Sequence, residues 1–272
     1  MRKTILITGS TDGIGKLTAI KMAKDGHHVY LHGRNAAKLA NSITEVKKVS
    51  NNEHVKGFIA DFSDLNAVHD MANKILSEVP KLDVLVNNAG IFGSPINTTK
   101  HNIDIRLVVN YFAPYVLTNS ILPLFKSSSD ARIVNLSSAA QSTVSIDALT
   151  GMAIESVNDA YAQSKLALTM WSFYLAKRLD SISVLAVNPG SLLNTKMANE
   201  AYGQYWSSAD KGRDILCDLA ISNDYVNVTG KYFDNDKGNP KGAFGPAHAD
   251  AYDKTKIETL IKVTENVLNK TK

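Results

Sequence analysis

The sequence predicts an α/β fold, a single doubly wound parallel sheet with helices on both faces. Three observations predict it. Short β-branched runs alternate with amphipathic stretches along the whole chain, a glycine-rich turn follows the first run, and no linker, repeat or low-complexity segment interrupts the pattern. The 272 residues are enough for one such unit, so 1–272 is expected to be a single domain.

Residues 3–8 (KTILIT) stop at Gly9 and read as a buried strand. Residues 14–25 follow with helical character up to Gly26, a residue suited to the position just past a helix end. Residues 29–32 form a second strand, and 35–49 a helix with Leu39, Ile43 and Val46 on one face. Residues 55–60 form a third strand. Ser63 or Asp64 is placed to cap a helix whose apolar stripe is Leu65, Val68, Met71, Ile75 and Val79. Residues 84–86 and 132–136 are the fourth and fifth strands. Between them, 103–125 is a long apolar helical stretch expected to kink near Pro114. A long helix covers 157–179. Strands at 184–187 and 231–233 and a last helix near 250–268 complete the pattern, and the polar, glycine-rich 235–245 reads as a surface loop. The alternation implies a parallel sheet covered on both faces.

Composition excludes several classes. Hydrophobic residues at 44% and charged residues at 21% set the chain apart from disordered sequences. The net charge is +4, but basic and acidic residues are interspersed, so no nucleic-acid partner is expected. Cys217 is the sole cysteine; no internal disulfide can form, and a reducing compartment fits. No apolar run reaches membrane-span length and no signal-peptide layout is visible, so the expectation is a cytoplasmic protein without a membrane span. With one cysteine and no H-E-x-x-H spacing, no metal is expected. The absence of a G-x-S-x-G elbow argues against a serine hydrolase.

The stretch TGSTDGIGK at 8–16 should hold a phosphate. A triphosphate loop needs G-x-x-x-x-G-K-[S/T]. Here five residues separate Gly9 from Gly15, and Lys16 is followed by Leu17. The dinucleotide reading does better. Gly9 permits a tight turn, Gly13 lets the backbone approach a pyrophosphate, and Gly15 lets the helix pack closely on the sheet. The helix N-terminus adds free N–H groups and a partial positive charge.

The spacing T-G-x-x-x-G-x-G resembles that of the short-chain dehydrogenase/reductase family. Further motifs follow in family order. Asp61 ends the third strand; Asn87, Asn88, Ala89 and Gly90 match N-N-A-G; Asn110 sits in VVNYF; Ser138 follows RIVNLS; Tyr161 and Lys165 match Y-x-x-x-K; and Asn188, Pro189 and Gly190 follow the sixth strand. The resemblance covers essentially the whole chain. The segment from Ser138 to Lys165 and GKYFDNDKG near the C-terminus look most like the retinol-dehydrogenase-like branch. The resemblance implies a Rossmann-type fold. It also implies cofactor-binding roles for Gly9, Thr11, Gly13, Ile14, Gly15, Asp61, Asn88, Gly90, Pro189 and Gly190, with Asp61 facing the adenine amino group. Asn110, Ser138, Tyr161 and Lys165 would be catalytic, the last two also facing the cofactor.

The chemistry of these residues agrees. Tyr161 and Lys165 lie four apart, on one helix face. A lysine cation near a phenol lowers its pKa from about 10 toward neutrality, so the tyrosine can exchange a proton with a carbonyl or alcohol oxygen. Ser138 can hold the same oxygen by a hydrogen bond. Asn110, buried in an apolar helix, can position a water chain leading to the lysine. A non-enzymatic NADP(H)-sensing regulator is the alternative; it would be expected to lose the tyrosine or the lysine, and both are present.

Cofactor choice rests on the end of the second strand, where NAD enzymes usually place an acid for the ribose 2′-OH. Residues 26–44 contain no acid. Gly33, Arg34 and Asn35 instead offer a guanidinium and a helix N-terminus to a 2′-phosphate, with Lys38 near, while Asp12 counts the other way. The expectation is an NADP(H)-dependent oxidoreductase acting on a hydrophobic carbonyl or alcohol, with Leu192, Leu193, Met197, Tyr202, Tyr205 and Trp206 as the variable wall. Two departures from the family pattern stand out. The segment between Ser138 and Tyr161 is long, and 146–159 is expected to fold over one side of the active site or over the helix faces on which family members dimerise. Thr195 falls one residue late after Gly190. Tyr115, Leu168, Trp171, Phe173 and Tyr174 are outward candidates on those helices, and a homodimer is expected through them.

Overall fold

A computed structural model describes residues 2–238 and 241–270. Among the described residues, eight strands form one sheet: β1 (Thr4–Ile7), β2 (His28–Gly33), β3 (Val55–Ile59), β4 (Val84–Asn87), β5 (Ala131–Leu136), β6 (Ile182–Asn188), β7 (Lys231–Asp234) and β8 (Ala243–Gly245). Their order is β3-β2-β1-β4-β5-β6-β7-β8. The first seven run parallel, with Ile5 opposite both Val29 and Val84, and β8 runs antiparallel to β7. Strand order reverses between β1 and β4, which opens a crevice at the carboxyl ends of these strands.

Side chains alternate along the strands between two cores. Leu6, Leu85 and Ile133 enter one; Ile5, Ile7, Val84, Val86 and Val134 enter the other. The second core is closed by α1 (Gly13–Lys24), α2 (Ala36–Ser50) and α8 (Ala209–Ile221). The first is closed by α3 (Leu65–Glu78), α5 (Ala113–Ile121), α6 (Val157–Ala176) and α9 (Lys254–Lys270). Two short helices, α4 (Ile105–Leu107) and α7 (Lys196–Tyr202), follow β4 and β6.

Three expectations need correction. The segment 235–245 is not all loop, because its last three residues form β8. Phe244 packs edge-on against Phe233 and Tyr225, with ring centroids 5.1 and 5.9 Å apart. A three-residue strand is too short to show a periodic pattern. Residues 239–240 of this segment lie outside the described residues. The second correction concerns 103–125. The irregularity is a π turn at Val108–Phe112, one step before Pro114, which begins α5. Pro114 has no N–H to give the Asn110 carbonyl, and the ladder widens so that the Ala113 N–H bonds the Val108 carbonyl. The stretch Ile105–Phe125 is also long and apolar enough to cross a membrane by length and composition; here it is mostly buried inside the protein.

The third correction concerns the supposed dimer face. Leu168, Trp171, Phe173 and Tyr115 are buried within the one chain. The C-terminal helix α9 covers them. Tyr111 and Thr264 hydroxyls share a 2.7 Å hydrogen bond, Tyr115 donates to Glu265, and Phe173 packs on Tyr252 just before α9. The segment 146–159 joins this cover, with Ala148 and Leu149 buried and α6 already begun at Val157. Four of the five residues expected to pair two chains are thus internal, while Tyr174 is half-buried with Arg178 over its ring. Trp171, 1% exposed, packs with its ring tilted against Tyr115, centroids 5.4 Å apart, in this core. Trp171→Ala should cost about 3–5 kcal/mol in denaturant unfolding; a loss below about 1 kcal/mol would contradict this packing.

Candidate active site

The turn after β1 is built around glycines that have no room for a side chain. Gly9 has φ +63, and a Cβ there would lie 2.7 Å from Ala89 Cα. A Cβ on Gly15 would collide with the Asn88 amide and lie 2.7 Å from the Gly9 carbonyl oxygen. The room Gly15 leaves is therefore taken by Asn88, whose Nδ2 donates to the Thr8 and Gly9 carbonyls at 2.8 and 3.0 Å. Thr8 Oγ1 accepts from the Asn88 and Ala89 N–H groups. The β1 turn and the β4 end are thus one hydrogen-bonded unit. Asp12 caps α1 by accepting from Gly13 N at 2.8 Å. Thr11 packs its methyl against Gly33, and Ile14 packs against Gly212 of α8.

His32, which sequence reasoning missed, fixes this unit to the next strands. Its Nδ1 accepts from Gly9 N at 3.0 Å, and its Nε2 bonds the Ala60 carbonyl at 3.1 Å. Its backbone N–H donates to Ser10 Oγ, and its ring stacks on Phe62. Burial pushes the imidazole down to about 4. It is neutral at physiological pH, with the proton on Nε2. A lone histidine at a strand end carries no sequence signal for such a role.

At the adjacent end of β2, Arg34 is exposed and forms no ion pair among the described residues. Lys38 is instead paired to Asp12 at 2.7 Å, and the lysine holds that carboxyl below its ordinary range. Asp12 thereby takes up Lys38 rather than opposing Arg34. Asp61 is exposed two residues past β3, with Oδ1 accepting from the Ser63 N–H and hydroxyl.

The second cluster lies at the ends of β4 and β5. Lys165, 5% exposed, donates from Nζ to the Leu136 carbonyl at 2.7 Å. The ammonium lies 5.5 Å from the Tyr161 ring centroid. Burial pushes the lysine down to about 8, so it keeps its proton at neutral pH. A Cβ on Gly90 would be 3.2 Å from Asn110 Oδ1 and 3.4 Å from Lys165 Nζ, which places the three residues together. Asn110 Oδ1 accepts from Ile91 N at 2.8 Å, and its Nδ2 donates to the Ile91 carbonyl and to Ser164 Oγ. Both Nδ2 protons are used within the chain, and Oδ1 accepts one bond. The amide clamps the strand β4 exit to α6, and Ser164 passes the bond on to the Tyr161 carbonyl at 2.7 Å. Buried Arg106 donates to the Phe92 carbonyl at 2.7 Å while paired to Asp104, and the Phe92 ring meets Tyr161 edge-on at 5.2 Å. Ser164, Arg106 and Phe92 were not singled out from the sequence; only their partners reveal them.

Ser138 stands two residues past β5. Its Oγ accepts from Ala140 N at 3.1 Å, which leaves the hydroxyl proton to donate. Tyr232 of β7 donates to the Ser138 carbonyl at 2.9 Å. Asp159 and Gln163, either side of Tyr161, hold Ser142 and Ser145 of the same loop. The Ser138 loop is thus fastened to the turn of α6 that carries Tyr161. Past β6, Pro189 and Gly190 lead to Thr195, which caps α7 and places its methyl 3.8 Å from a Cβ built on Gly13. Between them Leu192 adopts a left-handed conformation, φ 45. Of the expected wall, Leu193 turns into the core against Gly212, Met197, Tyr205 and Trp206 remain exposed, and the Tyr202 side chain lies outside the described residues.

The sheet, the glycine turn and the Tyr–Lys pair define a dinucleotide-binding oxidoreductase. The short chain dehydrogenase family model matches residues 3–206, and the chain belongs to that family. Human retinol dehydrogenase 13 is 31% identical over 85% of this chain and 76% of that protein. An uncharacterised protein from Mycobacterium paratuberculosis superposes with a TM-score of 0.78 at 26% identity, over 97% of this chain and 92% of its own. A short chain dehydrogenase from Escherichia coli CFT073, complexed with NADPH, has a TM-score of 0.70 at 27% identity, over 85% and 95% of the two chains.

His32 gives the site a pH signature. The unfolded chain binds a proton on this residue below its ordinary 6.5, whereas the folded protein resists until about 4. Stability from this group therefore falls by about 3 kcal/mol as pH drops from 6.5 to 4. His32→Phe keeps the stack on Phe62 and cannot titrate. In urea unfolding, the stability gap between wild type and variant should narrow by about that amount over this range; a constant gap would contradict a neutral buried imidazole.

Proposed function

We propose that the protein is an NADP(H)-dependent oxidoreductase that interconverts a hydrophobic carbonyl compound and its alcohol. One observation carries the reading: a buried ammonium, Lys165, held beside the Tyr161 ring at the carboxyl end of the sheet. An ammonium has three donors, and Lys165 Nζ uses one of them, on Leu136, among the described residues. A buried donor set left over in this way fits the ribose hydroxyls of a nicotinamide cofactor. The turn around Gly9 and Gly13 and the N-terminus of α1 fit its pyrophosphate. Arg34, exposed beside a strand end without an acid, suits a 2′-phosphate. The NADPH in the Escherichia coli relative supports this choice. Asp61 would face the adenine, and Asn88, Gly90, Pro189 and Gly190 would line the remainder.

Bound NADPH supplies the hydride. The chain handles the proton. Tyr161 donates it to the carbonyl oxygen as the alcohol forms, and the Lys165 cation favours the phenolate left behind. Ser138 donates a hydrogen bond to the same oxygen and holds it. The exposed apolar side chains Met197, Tyr205 and Trp206, in the segment after Gly190, would favour a hydrophobic substrate, and the retinol dehydrogenase relative is in keeping with that.

Tyr161→Phe removes the proton and keeps the ring. Turnover of an accepted carbonyl at saturating NADPH should fall by about 10²–10⁴ while NADPH still binds; retention of more than about a tenth removes Tyr161 from the mechanism. Arg34→Asp should weaken NADPH by roughly 10–100-fold in a fluorescence titration, the worth of a charge-assisted hydrogen bond, without weakening NADH. Equal NADPH affinity in both proteins would make Arg34 a surface residue only.

A further inference from the structure

The run Asp234, Asn235, Asp236 closes β7 and begins the turn to β8. Its side chains do not simply face solvent. Asn235 is 4% exposed and Asp234 8%. All three grip residues 188–191, the segment leaving β6. Asn188 Nδ2 donates to Asp234 Oδ1 at 2.9 Å and to Asp236 Oδ2 at 2.8 Å. Asn235 Nδ2 donates to the Pro189 carbonyl at 2.8 Å and to the Lys211 carbonyl of α8 at 3.2 Å, and its N–H donates to the Asn188 carbonyl. Ser191 N donates to both Asp236 oxygens at 3.0 Å, and Ser191 Oγ donates to Asp236 Oδ2 at 2.5 Å. Lys211 Nζ lies 3.7 Å from Asp236 Oδ1 and balances its charge. The hairpin can close over the loop because position 242 is glycine. A Cβ there would lie 2.5 Å from both Asn235 Cα and the Phe233 ring.

The gripped loop has a defined place. It starts one strand away from the Leu136 carbonyl that holds Lys165, and runs on to Thr195 over Gly13. It therefore spans from the reactive corner to the pyrophosphate turn, away from Arg34 and Asp61 at the adenosine end. Five hydrogen bonds from the loop end on two carboxylates: two from Asn188, two from Ser191 N and one from Ser191 Oγ. Bonds to ionised acceptors are the stronger kind. Without them, the loop would have to be ordered at the expense of cofactor binding.

We propose that Asp236, with Asp234 and Asn235, is a positioning clasp that holds the 188–191 loop in shape for the nicotinamide half of the cofactor, without contributing to the adenosine half. The proposal rests on the NADP(H) reading above. Asp236 touches neither substrate nor cofactor; it acts through Ser191 and Asn188. It is a residue of the partly exposed rim rather than of the core, so its loss should leave the sheet intact.

The test compares two probes on the full chain: NADPH, which occupies both halves of the site, and 2′,5′-ADP, which occupies the adenosine half alone. Calorimetric titration of Asp236→Ala should show NADPH weakened about tenfold or more, with 2′,5′-ADP unchanged within about twofold. Asp236→Asn should fall between, since its amide oxygen still accepts from Ser191. If Asp236→Ala fails to fold by circular dichroism, Ser191→Ala decides the same comparison, because it deletes only the hydroxyl bond to Asp236. Equal weakening of both probes, or NADPH affinity equal to wild type, overturns the clasp. Wild-type protein that binds neither probe overturns the NADP(H) reading itself, and the clasp falls with it.

Discussion

A charge buried at the carboxyl end of a parallel sheet is the constraint on which the site depends. Taking an ammonium out of water is costly unless partners are close at hand. Lys165 meets this cost at the Leu136 carbonyl, and only an α6 fixed against β5 can bring the two within 2.7 Å. Ser137 supplies that fixation, its hydroxyl lying 3.1 Å from the Lys165 carbonyl and 2.6 Å from Thr169 Oγ1. Asn135 repeats it one turn on, donating to Ser172. Gly90 is needed because Asn110 and Lys165 together occupy the space a side chain would fill. The π turn positions the third member of this cluster. It sets Asn110 where both faces of its amide bind Ile91, and Pro114 ensures that the helix cannot relax to regular α spacing there.

Sheet topology explains why so few residues suffice. The reversal of strand order between β1 and β4 brings the glycine turn against the N-N-A-G segment, and hydrogen bonds from Asn88 to Thr8 and Gly9 lock them. Loops from five parallel strands then reach one crevice. Three of them are anchored by a neighbouring element: the β1 turn by His32 of β2, the β5 loop by Tyr232 and Asp159, the β6 loop by the β7–β8 turn. Covering α5 and α6 with α9 seals the opposite side of the first core, so the helix bearing Tyr161 is packed on its outer face as well.

Much of this was legible in the sequence, for a physical reason. A parallel strand buried on both faces must be a continuous apolar run, and a turn that must approach another backbone must be glycine. Lys3 to Thr8 and Gly9 therefore announce themselves. Tyr161 and Lys165 are also legible, because their relation is local to one helix turn. What was not legible is long-range. Nothing in LHGRN says that His32 reaches Gly9 and Ala60 at once, and nothing in DNDKG says that Asp236 reaches Ser191. The same holds for the dimer face. Trp171 and Tyr115 show apolar stripes that need a cover, but the stripe cannot say whether a second chain or α9 provides it. Helices α7 and α8 went unassigned because the segment after Gly190 mixes aromatic, small and charged residues without a clear stripe.

The central claim is hydride transfer at the Tyr161–Lys165 corner. It is tested most directly with NADPH deuterated at the transferable C4 position and a panel of hydrophobic aldehydes and ketones, with products analysed by mass spectrometry. The account predicts alcohol products one mass unit heavier than those from unlabelled NADPH, with the deuterium on the carbinol carbon. Tight NADPH binding with no deuterium in any product across the panel would contradict it and leave a cofactor-sensing protein in place of an oxidoreductase.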